Sequence, residues 1–298
     1  MKHYIENIMR AAQLPSDSYE TFLSAHEKVS ISLNAILQTL CTHLDNRCDG
    51  NTAEKQIDKI AEDVGINKYT LHALYCFYAA EPFHSKFMSV EGNTEEMFSD
   101  FLADYRAKVT YCKKTTGIWG INVPLAWFDM FFKMERYSFG RLQFESLYYP
   151  HFQKKYNSEQ VEMWGGVINM HIPMLGPLTR EKRIDAYKKA YDFYKKERNG
   201  DILTFACTSW LLYPENKQAM PSAANVLDFM DDFKIISSTP DVSFEDKVII
   251  YGQNSNRPNE LLPEETSMQR EVKKWLIAGN HMGIGYGMFF YDGNHFFK

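Results

Sequence analysis

Apolar residues recur at helical spacing through the first third of the chain. Ile5, Ile8, Met9 and Ala12 form one stripe before Pro15, and Val29, Leu33, Ile36, Leu37 and Leu40 form the next. Met97, Phe101, Leu102, Tyr105 and Val109 carry the pattern to about Tyr111. Asn51 with Glu54, and Asn93 with Glu96, each place a polar residue three positions before glutamate, the signature of a helix start. Pro124 suits the first turn of a further helix running to about Glu135, because proline is tolerated where the N–H has no partner anyway. The spacing predicts a small helical bundle over residues 1–135.

Beyond Glu135 the period shortens. Phe139–Tyr149, Val161–Ile172, Ile202–Tyr213, Val248–Gly252 and Met282–Tyr291 are predicted strands, with helices over Arg180–Arg198, Asn225–Phe233 and Ser267–Ala278. Thr266 and Gln269 have capping-box spacing at the start of the last helix. Strands alternating with helices give residues 136–298 an α+β or α/β class, a mixed sheet flanked by helices. In the helix that opens at Arg180, Ile184, Tyr187, Tyr191 and Tyr194 share one stripe and are expected to pack on the sheet. Lys182, Lys189 and Lys196 fall on the other side, toward water. No internal repeat, low-complexity tract or Gly/Ser linker interrupts the chain.

Composition narrows the function classes. The 298 residues are 45% hydrophobic and 24% charged, with a net charge of -5, the balance of a soluble globular protein. A nucleic-acid binder needs a basic surface to neutralise phosphates. The densest cationic stretches, Lys182-Arg183 and Lys188-Lys189 with Lys195-Lys196-Glu197-Arg198, share one helix with Asp185, Asp192 and Glu197 and read as a solvated face. The segment Ile57–Leu71 has helix-turn-helix spacing around Gly65. Its second helix runs on into Leu74-Tyr75-Cys76-Phe77-Tyr78, which offers a groove no cation. No nucleic-acid partner is expected. Five cysteines without a C-x-x-C pair suggest neither a disulfide framework nor a zinc site, and no metal is expected. The most apolar window, Ile118–Phe132, is broken by Asn122, Pro124 and Asp129 and is shorter than the roughly 20 residues of a membrane span. The start of the chain lacks a signal-peptide core, so a soluble, cytoplasmic protein without a membrane partner is expected.

The chemistry concentrates in Asn169-Met170-His171-Ile172-Pro173-Met174-Leu175-Gly176-Pro177-Leu178-Thr179-Arg180. An apolar strand enters a Gly-Pro turn that opens a long amphipathic helix. Such a junction directs unbonded N–H groups and the positive end of the helix dipole at one spot, a setting for phosphate. Gly176, Leu178, Thr179 and Arg180 are the candidate contacts; the same residues also read as a turn followed by an N-cap. His171 shares a strand face with Asn169 and Val167. Its imidazole titrates near neutrality and suits a general base; it equally suits a structural bond that orients the Pro173 turn. Cys207 and Ser209 share a face with Leu203 and Phe205. No base or electropositive setting accompanies Cys207, which reads as a small core residue.

From about Ser138 onward the order of elements resembles the later part of a GNAT-type N-acyltransferase. The spread of Gly140-Arg141-Leu142-Gln143-Phe144-Glu145, His171-Ile172-Pro173, Gly176-Pro177-Leu178-Thr179, Ser209-Trp210-Leu211-Leu212 and Leu262-Pro263 is similar to bacterial acyltransferase-like proteins that couple a helical N-terminal domain to a GNAT-like C-terminal domain. The resemblance implies that the loop Met174–Thr179 binds the coenzyme A pyrophosphate. It also implies that the strand Ile202–Trp210 splays from Glu162–Ile172, so that the pantetheine arm lies in the gap beside Ser209. Asn225 matches an asparagine near the start of a following helix in many members, and Tyr213 is the tyrosine nearest the implied cleft, a candidate proton donor. Acyl-coenzyme A is the implied co-substrate and an amine the implied acceptor. The chain departs from the family at the pyrophosphate motif (Arg or Gln, two residues, Gly, any residue, Gly or Ala), which is missing. Pro177 removes one amide donor. Asp232 stands where the family often has a catalytic tyrosine. Two functional readings therefore stand: an acyltransferase, with His171 and Tyr213 in the chemistry, and a GNAT-like module that binds a ligand or partner without catalysis.

Overall fold

The computed structural model describes residues 2–147, 167–197, 201–220, 225–241 and 247–297. The chain divides into two compact units, Met1–Ser138 with Pro173–Leu175, and Phe139–Ile172 with Gly176–Lys298. Each is described by itself.

The first unit carries the helices α1 (Lys2–Ala11), α2 (Tyr19–Lys28), α3 (Leu33–Leu44), α4 (Gly50–Val64), α5 (Lys68–Met88), α6 (Glu95–Thr116) and the short α7 (Asp129–Phe132). Two caps differ from the sequence reading. Asp49, not Asn51, caps α4 by accepting from the Thr52 N–H at 2.8 Å, and Thr94, not Asn93, caps α6 through Met97 N. The glutamate spacing located both helix starts to within two residues but picked the wrong cap. The predicted helix over Pro124–Glu135 is a 3₁₀ turn at Leu125–Phe128 followed by α7. Gly65 and Gly117, both at positive φ, close α4 and α6.

Every residue from Thr70 to Ala80 on α5 is buried, so the helix-turn-helix spacing belongs to a core helix with no face for a DNA groove. An aromatic cluster fills the core, with ring centroids 4.8 Å apart for Phe83 and Phe101 and 5.0 Å for Phe101 and Phe131. Glu54, Asp58 and His72 come together between α4 and α5, a grouping that linear spacing did not suggest. Their ligand atoms already have partners: Asp58 meets His72 Nε2 at 2.6 Å and Lys68 at 3.2 Å, and Glu54 accepts from Leu125 N.

Two buried histidines give this unit a pH dependence. His43 bonds the Tyr75 hydroxyl through Nδ1 (2.9 Å) and Asp129 through Nε2 (2.7 Å), while His26 Nδ1 meets the Tyr78 hydroxyl at 2.8 Å. Burial lowers the pKa of both, and for His43 it outweighs the opposing pull of Asp129. As pH falls through the ordinary histidine value of about 6.5, the unfolded chain takes up protons that the folded one refuses. Stability should be full above about pH 7 and decline below about 6.5. Urea midpoints measured from pH 8 to 5.5 check this, and a flat profile would contradict it.

The described strands are β1 (Arg136–Phe139), of which only Phe139 is assigned to the second unit, and then β2 (Leu142–Leu147), β3 (Val167–His171), β4 (Leu203–Ser209), β5 (Lys234–Asp241), β6 (Met282–Tyr291) and β7 (Phe296–Phe297). They form a mixed sheet in the order β1-β2-β3-β4-β6-β5, with β7 on β6. The helices are α8 (Arg180–Tyr194), α9 (Asn216–Ala219), α10 (Asn225–Met230), α11 (Lys247–Tyr251) and α12 (Ser267–Ile277). The expected strand ends at Tyr149 and Val161, and the helix end at Arg198, lie outside the described residues. Val248–Gly252, expected as a strand, is helical: Val248–Tyr251 lie in α11 and Gly252 opens the 3₁₀ turn after it, and Ile250 and Tyr251 join a small core with Trp210, Met220, Leu262, Val272 and Met282. The capping box is present, with both Thr266 and Gln269 side chains bonded. No helix among the described residues is long and apolar enough to cross a membrane.

α8 supplies the crossover that a parallel β3–β4 pair requires. Its inner face carries Tyr187, Tyr191 and Tyr194 as expected, with the Tyr187 ring packed at an angle against Phe205, Phe289 and Phe296. Lys182 and Lys196 are exposed, while Lys189 and Ile184 are half-buried. Arg183 overturns the reading of Lys182-Arg183 as a solvated pair. Its side chain is 0% exposed, with Nε 2.8 Å from Asp232 Oδ2 and Nη2 2.9 Å from Asp228 Oδ2. Two carboxylates distant in sequence make that burial tolerable.

Candidate active site

β3 and β4 run parallel, and their paired residues are Val167–Asn169 with Thr204–Ala206. Beyond the last pair, Asn169 with Ala206, β3 continues through Met170 and His171 and β4 through Cys207, Thr208 and Ser209. β4 stays paired with β6 as far as Ser209. The two strands therefore part at their C-terminal ends, and among the described residues the β3-facing backbone of Cys207–Ser209 has no strand partner. In open α/β sheets that end of the strands is where ligands bind.

Register decides which side chains meet there. β2 and β3 are antiparallel, with Gln143 opposite His171 and Glu145 opposite Asn169. Those four side chains thus share one face of the sheet, and Phe144, Met170, Ile168 and Phe205 share the other, on which α8 packs. On the first face, Glu145 Oε1 lies 2.9 Å from His171 Nε2 and accepts a bond from Asn169 Nδ2, also at 2.9 Å. Glu145 is buried, and the His171 side chain is 23% exposed. His171 Nε2 also stands 3.2 Å from Asn169 Nδ2. In the tautomer whose Nε2–H donates to Glu145 the lone pair lies on Nδ1, and the imidazole is then arranged as a proton acceptor. Strand alternation had grouped Asn169 with His171; Glu145 was missed as a partner because only the β2–β3 register brings it across.

The junction after β3 is built as a turn. Gly176 has φ +84, a conformation that favours glycine, and its carbonyl accepts from Arg141 Nη2 at 3.0 Å, which ties the β1–β2 hairpin to the turn. Burial pushes the Arg141 pKa down to about 10. Leu178 is buried, its carbonyl held by Arg183 Nη1 at 3.1 Å. Thr179 is the N-cap of α8, but its hydroxyl makes no cap bond. Among the described residues no hydrogen bond uses the N–H of Leu178, Thr179 or Arg180. The Arg180 side chain is 62% exposed, 3.6 Å from Asp228 and 3.7 Å from Asp232.

The remaining candidates lie elsewhere. Ser209 falls on the α8 face by register, opposite to His171, and its Oγ accepts from Leu211 N to cap a 3₁₀ turn. Tyr213 is buried with its ring against Gly283, where a Cβ would stand 2.4 Å from the ring. Gly283 alternates with Phe289 on the α8 face of β6, so Tyr213 is not brought to His171. Burial, then a bond to Glu215, raises the Tyr213 pKa. Asn225 opens α10 at the surface. Cys207 is buried, which pushes its pKa up to about 12 and keeps it an unreactive thiol. Asp232, which the resemblance set where many members have a tyrosine, is occupied by Arg183 and by the Tyr187 hydroxyl at 3.1 Å.

Comparison with known proteins places this geometry. Among solved structures, an acyltransferase in complex with CoA and 10C-teicoplanin is 18% identical with a TM-score of 0.71, the match covering 95% of this chain and 86% of that one. An acyltransferase in complex with decanoyl-CoA and teicoplanin gives 0.69 at the same identity and coverage. One with decanoyl-CoA alone gives 0.61, also at 18% identity, covering 95% of this chain and 98% of that one. At such identity the likeness is one of fold. No curated protein matches the sequence. The family model described as GNAT-like C-terminal domain matches residues 137–289, just over half of the chain, and the chain belongs to that family.

Proposed function

We propose that the chain is a cytoplasmic acyltransferase that moves an acyl group from acyl-coenzyme A to a small-molecule amine, with residues 1–135 as a helical domain and residues 136–298 carrying the chemistry. The observation that carries the reading is the His171–Glu145–Asn169 network, set where β3 and β4 stop pairing. The family and the coenzyme-bound neighbours of the same fold supply the substrate class.

The amides of Leu178, Thr179 and Arg180, at the N-terminus of α8, would hold the pyrophosphate, helped by the helix dipole. The unpaired edge of Cys207–Ser209 would bond the pantetheine amides in the manner of an added strand. On this reading Ser209 contributes backbone, not its hydroxyl. His171 Nδ1 takes a proton from the acceptor nitrogen as its lone pair forms the C–N bond. The C–S bond breaks, and its electron pair leaves with sulfur, which is released as the thiol after protonation. Glu145 stabilises the imidazolium formed, and Asn169 holds Glu145 in place. Tyr213 and Asn225 have no step assigned.

Gly176→Val tests the loop. A branched residue at φ +84 is strained, and nothing among the described residues lies within 4 Å of a Cβ there, so the cost falls on the turn and on an approaching phosphate. Coenzyme A affinity should fall by about tenfold or more, with at most roughly 2 kcal/mol lost in stability. Titration calorimetry checks it, and an unchanged Kd would place the phosphates elsewhere.

A further inference from the structure

Gln143 stands directly opposite His171 on the face that carries Glu145 and Asn169. It is 1% exposed, and neither Nε2 nor Oε1 has a hydrogen-bond partner among the described residues. A carboxamide buried without partners is costly, and a purely structural position would avoid that cost with methionine or leucine. Its neighbours leave it alone: Asn169 bonds Glu145, and the Glu145 carboxylate receives His171. The unmet groups are an acceptor oxygen and a donor nitrogen, side by side, in the same rung of the ladder as the imidazole. In a directly opposed antiparallel pair the Cβ atoms stand about 5 Å apart, so whatever bonds Gln143 is within an atom or two of whatever bonds His171.

We propose that Gln143 is a substrate-contacting residue of the acyl-transfer site: its Oε1 accepts an N–H of the acceptor amine and its Nε2 donates to the thioester carbonyl oxygen. The inference rests on the acyltransferase reading and adds acceptor specificity to it. A primary amine has two N–H groups after it has become neutral. One goes to His171 as the C–N bond forms and the C–S bond breaks, and the other remains on Gln143. A hydroxyl of the same shape has a single hydrogen, which His171 would take, leaving Gln143 Oε1 unmet. Buried polar groups left unpaired are what make a site reject an analogue. The pair His171–Gln143 therefore selects primary amines over alcohols.

The test compares wild type with Gln143→Met, which keeps the volume and removes both polar atoms. Binding of decanoyl-CoA is measured by calorimetry, and release of coenzyme A thiol is followed with a panel of primary amines and their matched alcohols. Gln143→Met should fold with an equal or higher Tm, since a buried unmet amide is gone. Its decanoyl-CoA Kd should stay within about threefold. Its kcat/KM for amines should fall by roughly 10- to 100-fold, and its preference for amine over alcohol should narrow by about tenfold or more. Should the panel contain no acceptor, the Gln143 side-chain amide signals decide: decanoyl-CoA should move them in ¹⁵N-labelled wild type. Wild-type turnover and preference in Gln143→Met, or signals indifferent to decanoyl-CoA, overturn this proposal alone. Failure of the wild type to bind decanoyl-CoA removes the acyltransferase reading, and this one with it.

Discussion

His171→Ala is expected to lower kcat by about a hundredfold or more, the usual scale for losing a general base. Its Kd for acyl-coenzyme A should stay close to that of wild type, because on the proposed reading the loop and the β4 edge, not the imidazole, would hold the coenzyme. Glu145→Gln should reproduce part of the loss, since it keeps the shape but withdraws the charge 2.9 Å from Nε2 that stabilises the imidazolium. Both variants should retain their fold, because the His171 side chain is partly exposed and Glu145→Gln preserves volume. Single-turnover kinetics with saturating acyl donor separate the chemistry from binding. A His171→Ala enzyme as active as wild type would return His171 to the structural role that the sequence also allowed.

The second large effect is on stability. Arg183→Ala should destabilise the second unit by about 3–5 kcal/mol, the range for removing one partner of a buried ion pair. Arg183 is fully enclosed, and Asp232, with a side chain 4% exposed, would be left charged and without its principal partner. The same guanidinium holds the Leu178 carbonyl, so the loop that α8 presents should loosen as well. Asp232→Asn should cost less, because an amide retains an acceptor oxygen for Arg183. Denaturant melts of the two variants check the order. An Arg183→Ala protein as stable as wild type would mean that water reaches Asp232 freely.

The sequence made the architecture legible where a long, strong pattern met a strong cap. The helical spacing of residues 1–135, the tyrosine stripe of α8 and the Thr266 capping box all have local causes, and all are seen. α11 was misread because Val248, Ile249 and Ile250 make a short β-branched run, which periodicity cannot separate from a buried helical turn. β5 was missed for the opposite reason. It is polar, carries Pro240 and lies at the end of the strand order, where an edge tolerates both.

The site was legible only in part. Alternation along β3 put Asn169 and His171 on one face, but the residues set opposite them, Glu145 and Gln143, depend on the β2–β3 register, which a single strand does not encode. The same limit explains Ser209 and Tyr213. Ser209 sits near the right strand end, yet the pairing of Asn169 with Ala206 turns it toward the α8 face, and Tyr213, beyond the 3₁₀ turn, packs its ring against Gly283. Arg183 looked like a surface cation because the carboxylates that bury it, Asp228 and Asp232, lie some forty-five and forty-nine positions away.

The most direct measurement is the binding of acyl-coenzyme A itself. Decanoyl-CoA added to the full chain at about a hundred times its Kd should stabilise it by about 2.7 kcal/mol, read as a rise in Tm, with coenzyme A alone retaining part of the effect. Gly176→Val should blunt the shift, and His171→Ala should leave it intact. No shift with decanoyl-CoA or coenzyme A at millimolar concentration would contradict the account.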